Sequence, residues 1–322
     1  MNKNPYIIGE IGTNFNGSLS LAKELMVAGK ESGVDCVKFQ LFSGASFKNI
    51  SEEEFFSFEK FKLNDEFLEE LVEHSNAIGI DFLASVFDQD LLRRYLSLDV
   101  GAIKIASSEV TNYGLIQAAA KSGNKIYLST GMSDYGDVEF ALDICEAENN
   151  FDIVLFQCTA SYPCPPDSVN LSAIEKLSSA FDYECGFSDH SEGNHLACCA
   201  VGLGCRIFEK HFTMDKNSIG PDHFFASDID GLREYVRVIH ECMEAKKPLA
   251  KKMTSDERKE GRRSGIYAKH RLLAGDTLNV ETVRFERPAL GLRDKYFHAI
   301  QGARVKRTLE KDDPISLQDL EL

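Results

Sequence analysis

The sequence predicts a (β/α)8 barrel of the TIM type followed by a small β-rich domain. Eight apolar runs alternate with helical patterns over roughly 245 residues, which is the count and the size of such a barrel. The composition then changes to a basic stretch and to short segments separated by turns. An open doubly wound sheet is the alternative, but EIGTNFNG follows the first run where that fold usually has GxGxxG.

Each predicted strand is an apolar run that ends in polar residues. The first covers residues 6–11, and the helix after it begins near Ser18 and ends near Gly33, a residue type that often closes helices. The carboxyl ends of barrel strands meet at one rim, where such folds build their sites. The other strands are predicted at 34–40, 81–87, 102–107, 125–130, 153–159, 185–190 and 206–211.

The chain is expected to comprise a barrel at 1–245, a basic linker at 246–263 and a compact β-rich domain at 264–322. The last part has about sixty residues, which is marginal for a free unit, so we expect it to dock on another surface. One segment of the barrel, 42–63, departs from the alternation and is interpreted as a lid, a contact surface or a loop pinned by aromatics. Its phenylalanines are Phe47, Phe55, Phe56, Phe58 and Phe61.

Charge and cysteine usage exclude several classes of partner. The net charge is −15, and the acidic excess lies before residue 246, which argues against nucleic acid and anionic membranes. Nine cysteines show no CxxC spacing, as expected in a reducing cytosol. The sequence enters its first strand without a signal peptide, and no apolar run is long enough to span a bilayer. We therefore expect a cytoplasmic protein.

Two histidines end consecutive predicted strands. His190 follows the seventh strand and His211 ends the eighth. Neutral imidazoles at neighbouring strand ends can share one divalent metal and leave other positions open for a substrate. The alternative is that each histidine is only a satisfied polar group at a strand end.

Two lysines lie in predicted strands, among hydroxyl-bearing residues. Lys38 and Lys104 favour a small, doubly anionic ligand, such as a phosphate ester that also carries a carboxylate. A Schiff base with a carbonyl substrate is one alternative, and a salt-bridge layer with Glu10 and Glu109 is another. In the first interpretation, Glu109 could orient or deprotonate water and Glu10 could bind substrate hydroxyls. Other polar residues at strand ends are Gln40, Ser85, Ser107, Ser129, Thr130, Thr159, Tyr162, Ser188 and Glu209.

Nine motifs in order along the chain resemble those of the sialic acid synthases. This family condenses phosphoenolpyruvate with an N-acylated aminohexose to give nine-carbon nonulosonic acids. The resemblance covers nearly the whole chain, and it implies a TIM barrel, an antifreeze-like domain and a domain-swapped homodimer. The motifs are EIGTNFNG (10–17), VKFQ (37–40), KIASSE (104–109), STGM (129–132), CTASYP (158–163), GFSDHS (186–191), EKHFT (209–213), GPDH (220–223) and VRFERPALGL (283–292).

The resemblance also implies roles for individual residues. His190 and His211 would hold a divalent metal, Mn²⁺ first, with Mg²⁺ and Co²⁺ as alternatives. Glu10, Lys104 and Glu109 would be catalytic, with Glu109 managing water. The substrate-binding set would be Lys38, Gln40, Ser85, Ser107, Tyr162, Ser188 and Arg287, the last reaching the sugar site of the partner subunit.

Three departures from the family pattern leave the sugar open. Phe15 replaces a common His, Ala160 replaces a polar residue, and Ser85-Val86-Phe87 replaces Thr-Pro-Phe. The candidates are N-acetylmannosamine and the 2,4-diacetamido-hexoses. Two other functions remain as alternatives: a related phosphoenolpyruvate aldol synthase, which would need further basic residues for a second phosphate, and a catalytically silent sugar-binding protein.

Overall fold

The structure is a computed structural model, and it divides the chain into two compact units, Met1–Lys247 and Pro248–Leu322. Each unit has its own apolar core. No helix in the part of the chain that the structure describes is long and apolar enough to cross a membrane. The described residues are 4–46, 48–49, 51–247, 250–259 and 262–321.

Eight parallel strands in the first unit close into a barrel in chain order, with β8 paired to β1. The predicted (β/α)8 fold is therefore confirmed, and each strand lies where an apolar run predicted one. The strands are β1 (Tyr6–Gly12), β2 (Cys36–Leu41), β3 (Asp81–Val86), β4 (Ala102–Ile105), β5 (Lys125–Ser129), β6 (Ile153–Gln157), β7 (Glu184–Asp189) and β8 (Ile207–His211).

Helices connect these strands, and several begin at a side-chain cap. Ser18 accepts a hydrogen bond from the backbone N–H of Leu21 at the start of the first helix, which fixes its predicted beginning. Segment 42–63 contains a helix that the sequence analysis did not predict, although the placement of Phe47 lies outside the described residues. The helices are α1 (Leu19–Glu31), α2 (Glu52–Phe61), α3 (Asp65–Ile78), α4 (Gln89–Leu96), α5 (Tyr113–Lys121), α6 (Tyr135–Ala147), α7 (Ala173–Phe181), α8 (His195–Gly202) and α9 (Ile229–Ala245).

An apolar layer inside the barrel supports the polar rim. Ile8, Cys36 and Leu83 belong to a buried cluster that is separate from the larger core of the first unit. Side chains two residues apart on a strand share a face, so the next inward positions after these three are Glu10, Lys38 and Ser85. The barrel therefore places its charged and hydroxyl groups directly above an apolar floor.

The second unit is small and β-rich, as the sequence predicts. Two antiparallel pairs of short strands surround a core that includes Ile266, Leu278 and Ile315. Its elements are α10 (Ser255–Lys259), β9 (Gly265–Ala268), β10 (Val283–Glu286), α11 (Phe297–Ile300), β11 (Arg304–Val305) and β12 (Leu320–Glu321).

Candidate active site

A cavity of about 270 Å³ opens at the carboxyl end of the barrel strands; we call it the rim cavity. Every barrel strand contributes to its lining, either directly or through the residue that follows it. A larger cavity, of about 400 Å³, lies beside Tyr6 and Asp81 near the amino ends of the strands, away from the predicted site residues. Ten predicted residues line the rim cavity: Glu10, Lys38, Gln40, Ser85, Lys104, Ser107, Tyr162, Ser188, His190 and His211.

Two lysines and two glutamates form a buried charged network at the bottom of this cavity. Lys38 Nζ lies 3.2 Å from Glu10 Oε2 and 3.4 Å from Glu209 Oε1, and Lys104 Nζ lies 2.6 Å from Glu209 Oε2. Lys38 also donates a hydrogen bond to Ser85 Oγ at 3.0 Å. The lysines are thus paired to Glu10 and Glu209, whereas the salt-bridge layer considered from the sequence used Glu10 and Glu109.

Burial and pairing compete to set the pKa values of this network. Burial lowers the pKa of Lys104 despite its contact with Glu209. Burial acts the same way on Lys38, but the carboxylates of Glu10 and Glu209 outweigh it and raise the pKa of Lys38. For Glu209, burial is outweighed by Lys104 and Lys38, so its pKa lies below the ordinary value. Burial also raises the pKa of Glu10, against the opposing effect of Lys38. Burial therefore works against the charged forms of Glu10 and Lys104, whereas pairing favours the charged forms of Lys38 and Glu209.

The two histidines lie at the other side of the cavity, with ring centroids 5.5 Å apart. His190 Nδ1 is 2.8 Å from the carbonyl oxygen of Thr159. A carbonyl can only accept, so Nδ1 carries a proton, and in the neutral ring Nε2 then keeps its lone pair. Burial lowers the pKa of His190, but Cys158 and the Thr159 carbonyl outweigh it and raise that pKa above its ordinary value. Burial lowers the pKa of His211 to about 3, so this ring is neutral at physiological pH.

These imidazoles fit the donor set that a divalent metal needs. The Nδ1 atom of His211 is buried and has no hydrogen-bond partner among the described residues. Neutral imidazole is the form that binds Mn²⁺ or a similar ion, and the tautomer of His190 is fixed by its backbone contact. In the described part of the chain, no cluster of three or more His, Cys, Asp or Glu side chains is arranged to hold a metal. A metal held by two imidazoles would have other positions open to substrate and water.

An acidic loop residue closes over the first strand. Asp222 Oδ2 accepts hydrogen bonds from the N–H of Thr13 at 3.1 Å and from its Oγ1 at 2.8 Å. A Cβ atom on Gly12 would lie 2.7 Å from Asp222 Oδ2, and Gly12 has a φ of +55°, so the close approach requires glycine. Nearby, Gln40 Nε2 donates to Glu10 Oε1 at 3.0 Å. Asp222 therefore anchors the β1 loop beside Glu10.

Tyr162 forms an aromatic wall at the mouth. Its ring centroid is 4.3 Å from that of His190 and 5.0 Å from that of Phe225, and 44% of the residue is exposed. A phenol at a half-open mouth can donate a hydrogen bond to a ligand while its ring covers the histidines.

Of the other two predicted residues, Glu109 is not among those that line the rim cavity, and Arg287 belongs to the second unit. Glu109 lies on a 3₁₀ turn, where it accepts from Asn112 Nδ2 at 2.8 Å and from Ser108 Oγ at 3.1 Å. Arg287 lies in the second unit, directly after β10. Their predicted roles remain predictions.

Two residues of the cavity were missed as site residues. Glu209 joins both lysines and also accepts from Ser188 Oγ at 2.9 Å. The sequence offered a signal, because Glu209 stands two residues before His211 on a strand and must share its face. The second residue is Cys158, whose Sγ lies 3.9 Å from His190 Nδ1. This contact depends on the path of the loop after β6.

The three departures from the family pattern have different consequences. Phe15 is fully buried and packs edge-on against Phe39, with ring centroids 5.9 Å apart, so it belongs to the core. Ser85 keeps its hydroxyl at Lys38. Ala160 lines the rim cavity with a methyl group that can make no hydrogen bond to a ligand.

Comparison with known proteins places this geometry in a family. A sequence model of the NeuB family matches residues 25–251, and one of the SAF domain matches residues 263–321. The chain is 32% identical to the N,N'-diacetyllegionaminic acid synthase of Campylobacter jejuni, over 97% of this chain and 99% of that protein. It is 31% identical to the pseudaminic acid synthase of Helicobacter pylori, over 98% of both chains.

A solved structure agrees with these matches. The N-acetylneuraminic acid synthetase of Leptospira borgpetersenii, in complex with citrate, superposes with a TM-score of 0.75 at 28% identity. The match covers 80% of this chain and 90% of that one. The fold, the family matches and the near-complete coverage agree, and the chain belongs to the NeuB family, with a SAF (antifreeze-like) domain after its barrel.

Proposed function

We propose that this protein condenses phosphoenolpyruvate with an N-acylated aminohexose to give a nonulosonic acid and phosphate. The observation that carries the proposal is the convergence of ten predicted residues on one rim cavity. The relatives named as legionaminic and pseudaminic acid synthases support the same reaction class. The sugar is proposed at the level of an N-acylated aminohexose, either N-acetylmannosamine or a 2,4-diacetamido-hexose.

The buried lysines bind the anionic groups of phosphoenolpyruvate in this proposal. Lys38 and Lys104 present two ammonium groups, and hydroxyls of Ser85 and Ser188 lie within hydrogen-bond distance of the charged network. The carboxylates of the network hold both cations in position before the ligand arrives. Oxygen atoms of the substrate then replace some of the carboxylate contacts of the two ammonium groups. Phosphate esters suit such a set because it combines point charges with short-range donors.

The condensation forms a C–C bond between the substrates and a C–O bond from water, and it breaks the C–O bond to phosphate. C3 of phosphoenolpyruvate attacks the aldehyde carbon of the open-chain sugar, and the cation that develops at C2 takes up water. The resulting tetrahedral intermediate expels phosphate. A divalent metal held by His190 and His211 would supply Lewis-acid polarisation of the aldehyde. Glu10, with Gln40 at 3.0 Å, would bind and orient sugar hydroxyls, and Tyr162 would cover the mouth.

The proposal extends to the assembly and the compartment. We place Arg287 at the sugar site of a partner subunit in a domain-swapped homodimer, since guanidinium suits fixed contacts with acyl and hydroxyl oxygens. All nine cysteines are free, which fits our placement of the protein in the cytoplasm.

Phosphate release in the presence of Mn²⁺ tests the proposal. The purified protein is incubated with phosphoenolpyruvate and, in parallel, with N-acetylmannosamine, the two 2,4-diacetamido-hexoses that lead to legionaminic and pseudaminic acids, or a phosphorylated aldose. We expect release with at least one N-acylated sugar and a nine-carbon acid by mass spectrometry. Release only with the phosphorylated aldose would favour the related aldol synthases, and release with none would support a silent sugar-binding protein.

A further inference from the structure

A second buried ion pair lies behind the two histidines, on the face of β7 and β8 that points away from the rim cavity. Lys210 Nζ is 3.2 Å from Asp189 Oδ2, and the two side chains are 3% and 0% exposed. Asp189 and Lys210 are direct partners in the register of these parallel strands. Their neighbours Ser188, His190, Glu209 and His211 line the cavity, so each charged residue alternates with cavity residues.

Both members of this pair also hold the turn that carries His190. Asp189 Oδ1 accepts from the N–H of Ser191 at 2.9 Å and from its Oγ at 2.6 Å. Lys210 Nζ donates to the carbonyl oxygen of Ser191. The residue after His190 is therefore held by both members of the pair, and the residue before it, Asp189, is itself one of them. The ammonium also lies 5.4 Å from the ring centroid of Tyr235 on α9, so a helix fixes the pair from behind.

Stability alone is a weak reason for such an arrangement. Removing two charges from water costs several kcal/mol per ion, and apolar or neutral groups of the same shape often serve as well or better. A buried pair that joins two strands does, however, fix their relative position, which is the best-attested use of such groups. Its contacts are concentrated on the residues beside the two imidazoles.

We propose that Asp189 and Lys210 are positioning residues that set the separation and orientation of the His190 and His211 rings. The inference rests on the proposed function, because the purpose of that separation is to present both imidazoles to one divalent metal. Groups that hydrogen-bond directly to a metal ligand usually change metal affinity by about 10- to 100-fold when they are removed. Asp189 and Lys210 act one residue further away, through Ser191, so we expect the lower end of that range.

The test separates positioning from stability by removing both charges together. Asp189→Asn with Lys210→Met keeps side-chain size and removes the uncompensated charge that either single change would leave. We expect this double variant to melt close to wild type but to bind Mn²⁺ about 10-fold or more weakly, measured from free Mn²⁺ by electron paramagnetic resonance. Each single variant should lose both stability and affinity. The matched control is Lys125→Met, which removes the partner of Asp152 at the amino end of β5.

Two outcomes overturn the inference. In the first, the folded double variant binds Mn²⁺ as tightly as wild type, which shows that the pair contributes only to stability. In the second, crystal structures of wild type and the double variant, both solved without metal, show the same 5.5 Å separation of the imidazole rings. The crystallographic comparison also decides the inference if wild type binds no metal, a result that would defeat the metal proposal separately.

Discussion

Replacing Lys104 by Met tests the binding of the anionic substrate most directly. The ammonium lies 2.6 Å from Glu209, and its side chain is 2% exposed, so almost no water can substitute for it. A hydrogen bond to a charged group contributes about 1.5–3 kcal/mol. A loss of about 2 kcal/mol in phosphoenolpyruvate binding corresponds to a KM about 30-fold higher. Methionine retains the length and the apolar stem of lysine, so the change removes mainly the charged donor.

The same substitution has a calculable effect on stability. Breaking a buried ion pair costs about 3–5 kcal/mol, since one charge is left without compensation. Glu209 keeps Lys38 at 3.4 Å after the change, so we expect the lower end, about 3 kcal/mol, in the free energy of unfolding by urea. Phosphate release at a series of phosphoenolpyruvate concentrations gives KM and kcat.

A control variant and a trapping experiment can contradict the predicted role of Lys104. Lys125→Met removes a lysine from the opposite end of the barrel and should leave KM unchanged. An unchanged KM in the folded Lys104→Met variant would refute the binding role. A borohydride-trapped adduct between Lys104 or Lys38 and a carbonyl substrate, detected by mass, would instead establish Schiff-base chemistry.

Three further predictions concern the metal, the pH dependence and the assembly. Chelation should abolish activity, and added Mn²⁺ should restore it. The variant His190→Ala should lose both metal binding and turnover. Full activity in protein that elemental analysis shows to be metal-free would contradict the metal assignment. Burial lowers the pKa of His211 to about 3, whereas the pKa of a histidine in the unfolded chain is about 6.5. As pH falls from about 6.5 towards 3, the unfolded state therefore binds a proton that the folded state does not, and the metal-free protein should lose stability. Between pH 7 and pH 5, the free energy of unfolding by urea should fall less for His211→Gln than for wild type. Equal decreases for the two proteins would contradict the lowered pKa of His211. The variants His190→Ala and Arg287→Ala should each be inactive alone but regain about a quarter of wild-type activity when they are refolded together. Half of the dimers are then mixed, and each mixed dimer contains one intact site out of two. Mixed dimers that are shown to form but have no activity would exclude a cross-subunit role for Arg287.

The barrel was predictable because its strands are apolar runs at regular intervals, and the motif order placed the polar residues at their ends. Residues such as Lys38 and His211 lie in or at the end of strands, so the period of two fixes the side of the sheet they face. The same rule puts Glu209, one of the polar residues at the strand ends, on the face of β8 that carries His211. Its pairing with both lysines, from β2 and β4, was still not readable, because it depends on which strands close the barrel.

Other features depended on contacts that are distant in sequence. Asp222 bonds to Thr13 across 209 positions, and no local pattern predicts such a contact. Helix α2 was not predicted, although phenylalanines at 55, 58 and 61 recur every third residue, a spacing that a helix face allows. The pair of Asp189 and Lys210 was not predicted, because both residues lie on the face of their strands opposite to the one that carries the cavity residues. Buried charges on the outer face of a strand become visible only with the helices that cover them.

The compensated charges at the bottom of the rim cavity have a consequence for the rate of substrate capture. Two ammonium groups balanced by two carboxylates present almost no field at a distance, while the protein as a whole carries a net charge of −15. An approaching phosphoenolpyruvate anion therefore meets repulsion from the surface before it meets attraction from the site. Dissolved salt screens that repulsion beyond about 10 Å but leaves the buried contacts largely intact. Association should consequently become faster as ionic strength rises, the reverse of the behaviour of enzymes that draw anions in through an exposed basic funnel.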